Sequence, residues 1–391
     1  MKAVIVSDIH IGKIKYGKMN SKTGVDTRVE DILRNMDQTI DYAIKNKIQA
    51  YFVLGDIYHN KRPVAYFREL FSSRISRILK NKIELFIILG NHDQGKTSSH
   101  DLVELREISD HIERLHILDS PEIIEFKDSL LCFLPHVNKV EFNLSDNDYY
   151  NFNIKYIRKF NKAALESSKK YKFFFAHFGT NESIAGNSFD LGTIESKKQR
   201  IIPLKEFDEK AWTKVYLGDI HKPQEMNDFC RHIGSIAKVD FGEEDEQKGF
   251  YHVDGDKDNF ELLDDREFKT LKVDLTSDPR KIMGEFCDDV QDAKLSKSIV
   301  RLQVRMKEKD KRLINFNALE EYLRDESWKY IGKSIISTKE EEEIILEGDE
   351  LNYVEIFKEY TKSSKKDMKD RIYDGVMDEG QKILEGVLNN L

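Results

Sequence analysis

Short apolar, β-branched or aromatic runs alternate with longer segments of helical period from the N-terminus to about residue 260. The runs are Ala3 to Val6, Ala50 to Leu54, Glu84 to Leu89, Leu130 to Leu134, Phe173 to Ala176 and Val215 to Leu217. Their length and their content of Val, Ile and Phe read as buried strands. Between the first two, Val29, Ile32, Leu33, Met36, Ile40 and Ala43 recur at helical spacing and predict a crossover helix. Such alternation predicts a layered α/β domain. A second helical row, Phe67, Leu70, Phe71, Ile75 and Ile78 within Val64 to Leu79, suits either core or interface.

The pattern changes around Asp264-Asp265-Arg266. Thr270 to Leu275 and Ser298 to Met306 read as strands, Pro279 to Asp289 and Phe316 to Leu323 as helices, so a small α+β domain is expected over 267–349. The acidic run Glu340 to Glu343 is most simply a solvated face. From 350 to 391, Val354, Phe357 and Thr361, then Met368, Ile372, Val376, Ile383, Val387 and Leu391, fall in helix-like rows. Gly375, Gly380 and Gly386 weaken a helix there by about 1 kcal/mol each. These stripes suit intramolecular packing or the docking of a partner equally well.

A chain of 391 residues suits two or three domains with an ample core. Its 63 basic and 71 acidic residues leave a net charge of −8, so any contact with nucleic acid must come from local patches rather than from a basic chain. Cys132, Cys230 and Cys287 are odd in number and form no CxxC pair, which argues against a disulfide framework and against a thiolate zinc site. No run approaches the roughly 18 apolar residues of a membrane span. The expectation is a soluble, cytoplasmic protein in a reducing compartment.

The chemistry lies just past the apolar runs. The first leads into Ser7-Asp8-Ile9-His10, the second into Gly55-Asp56-Ile57-Tyr58-His59 and the third into Gly90-Asn91-His92-Asp93; the fifth ends at His177 and the sixth at Gly218-Asp219-Ile220-His221. Residues past the carboxyl ends of neighbouring strands in open α/β sheets converge on one crevice. Any one His or Asp in such a place is most often a turn former or a satisfied polar residue. Together, Asp8, His10, Asp56, Asn91, His177, Asp219 and His221 form an N/O set without thiolate, suited to one or two divalent ions such as Mn²⁺, Mg²⁺, Fe²⁺ or Zn²⁺. The glycines before Asp56, Asn91 and Asp219 are expected to let the backbone turn sharply. Two cations about 3.5–4 Å apart, bridged by one carboxylate, can activate water and clamp both oxygens of a phosphoryl displacement. Asp56 is placed to bridge and His92 to serve as the acid.

This ordered set resembles the calcineurin-like metallophosphoesterase superfamily. The longer match is to its SbcD type, the Mre-class nuclease subunit of double-strand-break repair, through SDIHIGK at 7–13, LGDIYHNKRP at 54–63, LGNHD at 89–93, LGDIHKPQ at 217–224 and HIGSIAKVDFGEEDEQKGFYHVD at 232–254. The resemblance implies a four-layer core of two mixed sheets flanked by helices over 1–266, a DNA-capping α+β domain over 267–349 and C-terminal helices over 350–391. It implies Asp8, His10, Asp56 and His221 on one metal, and Asp56, Asn91, His177 and position 219 on the other. His92 would protonate or stabilise the leaving oxygen and His59 would support the phosphate. Two divalent ions, Mn²⁺ by preference, 3′-to-5′ exonuclease and single-strand endonuclease activity, homodimers and an SMC-like, SbcC-type ATPase partner are implied as well. Relatives carry His where this chain has Asp219; a carboxylate still suits a hard cation and adds a negative charge.

Other readings stay open. Gly90 to Thr97 also fits a phosphate-cradling G-x-x-x-x-G-K-[ST] loop, but a nucleotide site would leave Asp8, His10, His177 and His221 without a role. A phosphatase or nucleotide phosphodiesterase on the same residues, and a weakly active scaffold altered at Asp219, are the remaining alternatives. Lys13, Lys15, Arg62 and Lys96 lie on loops near the strand ends and are candidate DNA-phosphate contacts.

Overall fold

The computed structural model describes residues 1–94, 100, 102–137, 139, 142–184, 201–276, 286 and 295–338. Met1–Thr338 form one compact unit. In chain order the strands are β1 (Lys2–Val6), β2 (Ala50–Leu54), β3 (Glu84–Ile88), β4 (Leu115–Leu118), β5 (Glu122–Phe126), β6 (Ser129–Leu134), β7 (Tyr171–His177), β8 (Gly179–Thr180), β9 (Ile201–Ile202), β10 (Lys214–Gly218), β11 (Gln224–Glu225), β12 (Cys230–His232), β13 (Gly249–Asp254), β14 (Lys257–Leu262), β15 (Phe268–Asp274), β16 (Ile299–Lys307) and β17 (Lys329–Thr338). The helices are α1 (Thr27–Lys45), α2 (Ala65–Lys80), α3 (Val103–Ser109), α4 (Asp146–Glu166) and α5 (Phe316–Glu326).

Two six-stranded mixed sheets carry the first part of the chain, in the orders β14-β13-β1-β2-β3-β4 and β11-β12-β10-β7-β6-β5. In the first sheet β1 to β4 run parallel and β13 and β14 add antiparallel at one side; in the second β12, β10, β7 and β6 run parallel and the edge strands β11 and β5 are antiparallel. Period-two alternation explains why they stack. In β2, Tyr51 and Val53 face the helical layer of α1 and α2, whereas Ala50, Phe52 and Leu54 face the second sheet. In β7, Phe173 and Phe175 face the first sheet while Phe174 and Ala176 pack with Ile157 and Phe160 of α4. Between the sheets the Phe52 ring stacks on Phe175 at 4.4 Å and on Phe86 at 5.0 Å. Helix, sheet, sheet and helix thus make the four layers expected.

The amphipathic row of α2 is settled as core: Phe71, Ile75 and Ile78 are buried and Phe67 and Leu70 pack against them. After Arg266, β15, β16 and β17 form a separate parallel sheet with its own apolar cluster, in which Leu302, Val304 and Met306 meet Leu319 and Leu323 of α5. The predicted helix over Pro279 to Asp289 falls, but for Phe286, outside the described residues. So do Glu340 to Glu343 and the rows from 350 to 391. Among the described residues no helix is long and apolar enough to cross a membrane.

Candidate metal centre

The two sheets meet at the carboxyl ends of β1, β2, β3, β7 and β10. The His177 Nδ1–H donates to the Leu54 carbonyl across the sheets at 2.7 Å, and the Ser7 hydroxyl lies 2.9 Å from the same oxygen. The glycines beside the site act differently from the expectation of sharp turns. Only Gly55, at φ 84°, uses the left-handed region; Gly90 and Gly218 have no positive φ. A Cβ at Gly90 would collide with the Asp56 carboxylate, and one at Gly218 would come 2.7 Å from His177 Nδ1 and closer still to the Leu54 carbonyl and Ser7 hydroxyl. The absent side chains let the strand ends close up. The sharp turns fall instead on the functional residues, with positive φ at Asp8 (49°), His10 (53°), Asp56 (53°) and Asp219 (78°).

All seven candidate ligands gather in one crevice. His10 Nε2 lies 2.9 Å from His221 Nε2 and 3.7 Å from an Asp56 carboxylate oxygen. His177 Nε2 lies 3.2 Å from Asn91 Oδ1, 3.4 Å from Asp56 and 3.7 Å from Asp219. Asp8, His10, Asp56, His177 and Asp219 are buried; Asn91 and His221 are partly open. Asp8, His10 and His221 form one tight donor group, and Asp8, Asp56 and His177 another. The set fits divalent cations on the chemistry of its donors. The protons on His177 Nδ1 and His221 Nδ1 are committed to the Leu54 carbonyl and the Glu243 carboxylate, which turns both Nε2 lone pairs inward. Asp8 Oδ1 is buried without a hydrogen-bond donor. Burial pushes the Asp8 carboxyl up to about 6 against the pull of His177 and His221, the mark of a carboxylate short of positive charge.

Two catalytic candidates flank this set. The His92 amide donates to Asp56 Oδ1 at 2.8 Å and its Nδ1 to the His59 carbonyl at 2.8 Å, and its ring meets His10 edge-on at 5.1 Å. His59 stacks on His92 at 5.8 Å and has Lys13 Nζ at 3.4 Å. Burial, then the Lys13 charge, holds the His59 imidazole down to about 4. Of the DNA-contact candidates, Lys13 therefore stands at the site. Lys15 is exposed and reaches over the Tyr16 ring, Arg62 is exposed, and Lys96 lies outside the described residues, as do Gly95 and Thr97 of the phosphate-loop pattern.

Sequence reasoning gave no role to two buried carboxylates that hold the site together. Asp93 accepts the amides of Gly90 and Asp56 at 2.8 Å and of Ile57 at 2.9 Å, tying the second and third loops to each other. Glu243 accepts from His221. Both stand inside the motifs that carry the family resemblance, but Glu243 lies in the acidic run Asp240 to Glu246, where nothing local sets it apart from its neighbours.

Residues 1–245 match the calcineurin-like phosphoesterase family, and the chain belongs to it; it is a hydrolytic enzyme of the phosphoesterase class. The chain is also 25% identical over 307 residues, 75% of each protein, to the D subunit of the nuclease SbcCD from Staphylococcus epidermidis. A dimetal phosphatase from Danio rerio aligns with a TM-score of 0.42 at 9% identity, over 67% of this chain and 96% of that one, a likeness too distant to bear on function.

Proposed function

We propose that this enzyme is a metal-dependent DNA nuclease, a 3′-to-5′ exonuclease on duplex ends and an endonuclease on single strands, working in double-strand-break repair. The observation that carries the reading is the meeting of Asp8, His10, Asp56, Asn91, His177, Asp219 and His221 in one crevice with His92 beside them. On this reading Asp8, His10, Asp56 and His221 hold one divalent ion and Asp56, Asn91, His177 and Asp219 a second, with Mn²⁺ preferred and Mg²⁺ accepted. Bound, such a pair activates water and neutralises the charge that builds on a transferring phosphoryl group. The chain's own part is positional. With the His92 Nδ1–H held by the His59 carbonyl, Nε2 is the atom turned to the reaction, and the doubly protonated ring would hand its Nε2 proton to the leaving oxygen and keep the one on Nδ1. His59 and Lys13 together support a phosphate, and Lys15, Arg62 and Lys96 extend neutralisation along the strand.

The nuclease assignment within the family is supported by the Staphylococcus relative and by the block at 232–254, which supplies Glu243 and Lys248. The same likeness supports residues 267–349 as a DNA cap, 350–391 as the docking segment for an SbcC-type, SMC-like ATPase, and a homodimer. The test is cleavage of 5′- and 3′-labelled duplex with Mn²⁺ or Mg²⁺ by the wild type and by His92→Ala. Expected is metal-dependent degradation that drops about 100-fold or more in the variant. If DNA survives both metals while a small chromogenic phosphodiester is hydrolysed, the enzyme is a phosphatase or nucleotide phosphodiesterase instead. Fewer than two bound ions and no hydrolysis would mark a scaffold.

A further inference from the structure

One short 3₁₀ turn, Phe241–Glu243, carries two side chains with different duties, and it is held by Asp240 accepting the Gly242 amide at 2.7 Å. Glu243 is 0% exposed. One of its oxygens accepts the His221 Nδ1–H at 2.9 Å; the other accepts the Val239 amide at 3.0 Å and pairs with Lys248 Nζ at 2.9 Å. Lys248 in turn donates to the backbone carbonyl of His221 at 2.9 Å. The ring and the backbone of one histidine are thus clamped by the buried pair of Glu243 and Lys248, whose ammonium is also held by Glu246 at 2.8 Å. Burying such a pair is a poor route to stability, since apolar residues of the same size do as well or better, so its presence here points to a task in orientation.

Phe241, on the same turn, belongs to the small sheet's packing. Its ring meets Phe268 of β15 edge-on at 5.0 Å and Tyr16 at 5.4 Å, with the guanidinium of Arg301 from β16 over it at 4.4 Å. The adjoining Glu244 accepts from the Thr270 hydroxyl of β15. The seat of the β15–β17 sheet and the aim of His221 are therefore set by neighbouring residues of one rigid turn.

We propose that Glu243, locked by Lys248, is a positioning residue that fixes His221 with Nε2 toward the crevice, and that its turn transmits the seating of the small sheet to that histidine. The proposal rests on the reading of His221 as a cation ligand. Losing a hydrogen-bond partner of a ligating histidine typically weakens metal binding 10- to 100-fold.

The experiment uses the full chain and Mn²⁺ alone, followed by calorimetric titration, with thermal melting as the check on folding. In Glu243→Gln one Mn²⁺ is expected to bind at least about tenfold more weakly while the other is unchanged. In Phe241→Ala the same ion is expected to weaken while the melting of the two-sheet core is kept. A folded Glu243→Gln with both affinities intact overturns the positioning role, and an unaltered Phe241→Ala overturns the coupling to the small sheet. The ¹⁵N spectrum of His221 in the metal-free wild type decides the matter even if Glu243→Gln does not fold: a proton on Nδ1 supports the clamp, and a ring protonated on Nε2 alone overturns it. A wild type that binds no Mn²⁺ sinks the ligand reading of His221, whereas the clamp itself is still judged by that spectrum.

Discussion

Asp93 offers a graded test of how the crevice is held together. It is 0% exposed, and its carboxylate accepts four backbone amides: those of Gly90 and Asp56 on one oxygen, those of Ile57 and, at a longer 3.5 Å, Tyr58 on the other. Asp93→Asn keeps the volume and one acceptor oxygen. Oriented to keep the two bonds on the first oxygen, its amide nitrogen then faces the Ile57 N–H, a donor against a donor. Hydrogen bonds to a charged group contribute about 1.5–3 kcal/mol each, so the cost is about 2–3 kcal/mol. Asp93→Ala takes the acceptor from the three amides held at 2.8–2.9 Å, those of Gly90, Asp56 and Ile57, at roughly 1–3 kcal/mol apiece, less what an entering water restores, or about 4–5 kcal/mol. Urea unfolding measures both, the midpoint falling in the order wild type, Asn, Ala. Because Asp56 and the loop of Asn91 and His92 hang on one oxygen, Mn²⁺ affinity should fall in the same order. An Asn variant as unstable as Ala, or an Ala variant within about 1 kcal/mol of wild type, would refute the account of Asp93 as the tie between the loops.

Asp31 takes guanidinium bonds from Arg28 at 2.8 Å, Arg34 at 2.9 Å and Arg266 at 2.5 Å, with Arg28 itself buried; Asp31→Ala should cost about 3–5 kcal/mol in urea unfolding while leaving Mn²⁺ affinity intact. Burial, with the nearby His177 adding to it, drives the His232 imidazole down to about 3. The unfolded chain takes up that proton below about 6.5, so stability is complete above that pH and declines as the pH falls from there toward 3; His232→Gln should flatten the decline, and identical pH profiles of the urea midpoint would contradict it. Asp219→His is expected to fold, because a φ of 78° suits His as it suits Asp, and to bind cations with a preference moved toward Zn²⁺; calorimetry showing no binding in the folded variant would give this carboxylate another role.

The site was legible because its residues sit at the ends of runs that announce themselves. Ala50 to Leu54 is a strand at the very boundaries its apolar content predicts, and the polar residues after it arrive where a parallel strand must deliver them. A layered α/β domain followed from the same alternation; the count of four layers came with the family resemblance. What stayed hidden depended on long-range pairing. β13 lies antiparallel beside β1, some 250 residues earlier in the chain, and nothing local in GFYHVD names that neighbour. Its partner β14 is an edge strand, KDNFEL, too polar to stand out, although Gly255, at φ 66° in the two-residue connection, is a hairpin signal. The glycines at 90 and 218 were right in kind and misjudged in cause, since the clash they avoid comes from a different strand. Glu243 could not be placed without knowing that the chain returns to His221.

The two sheets close over each other through the Leu54 carbonyl, and the first contributes Asp8, His10, Asp56 and Asn91 while the second contributes His177, Asp219 and His221. No partly folded form with one sheet alone can own the complete crevice. A cation held there acts as a clasp between halves of the molecule, and its binding energy belongs to the whole fold rather than to a pocket. At 100 times its dissociation constant, one such ion adds about 2.7 kcal/mol to the unfolding free energy. A chelator should therefore lower the melting temperature of the two-sheet core itself, and resistance to proteolysis would track the supply of metal in the surrounding solution.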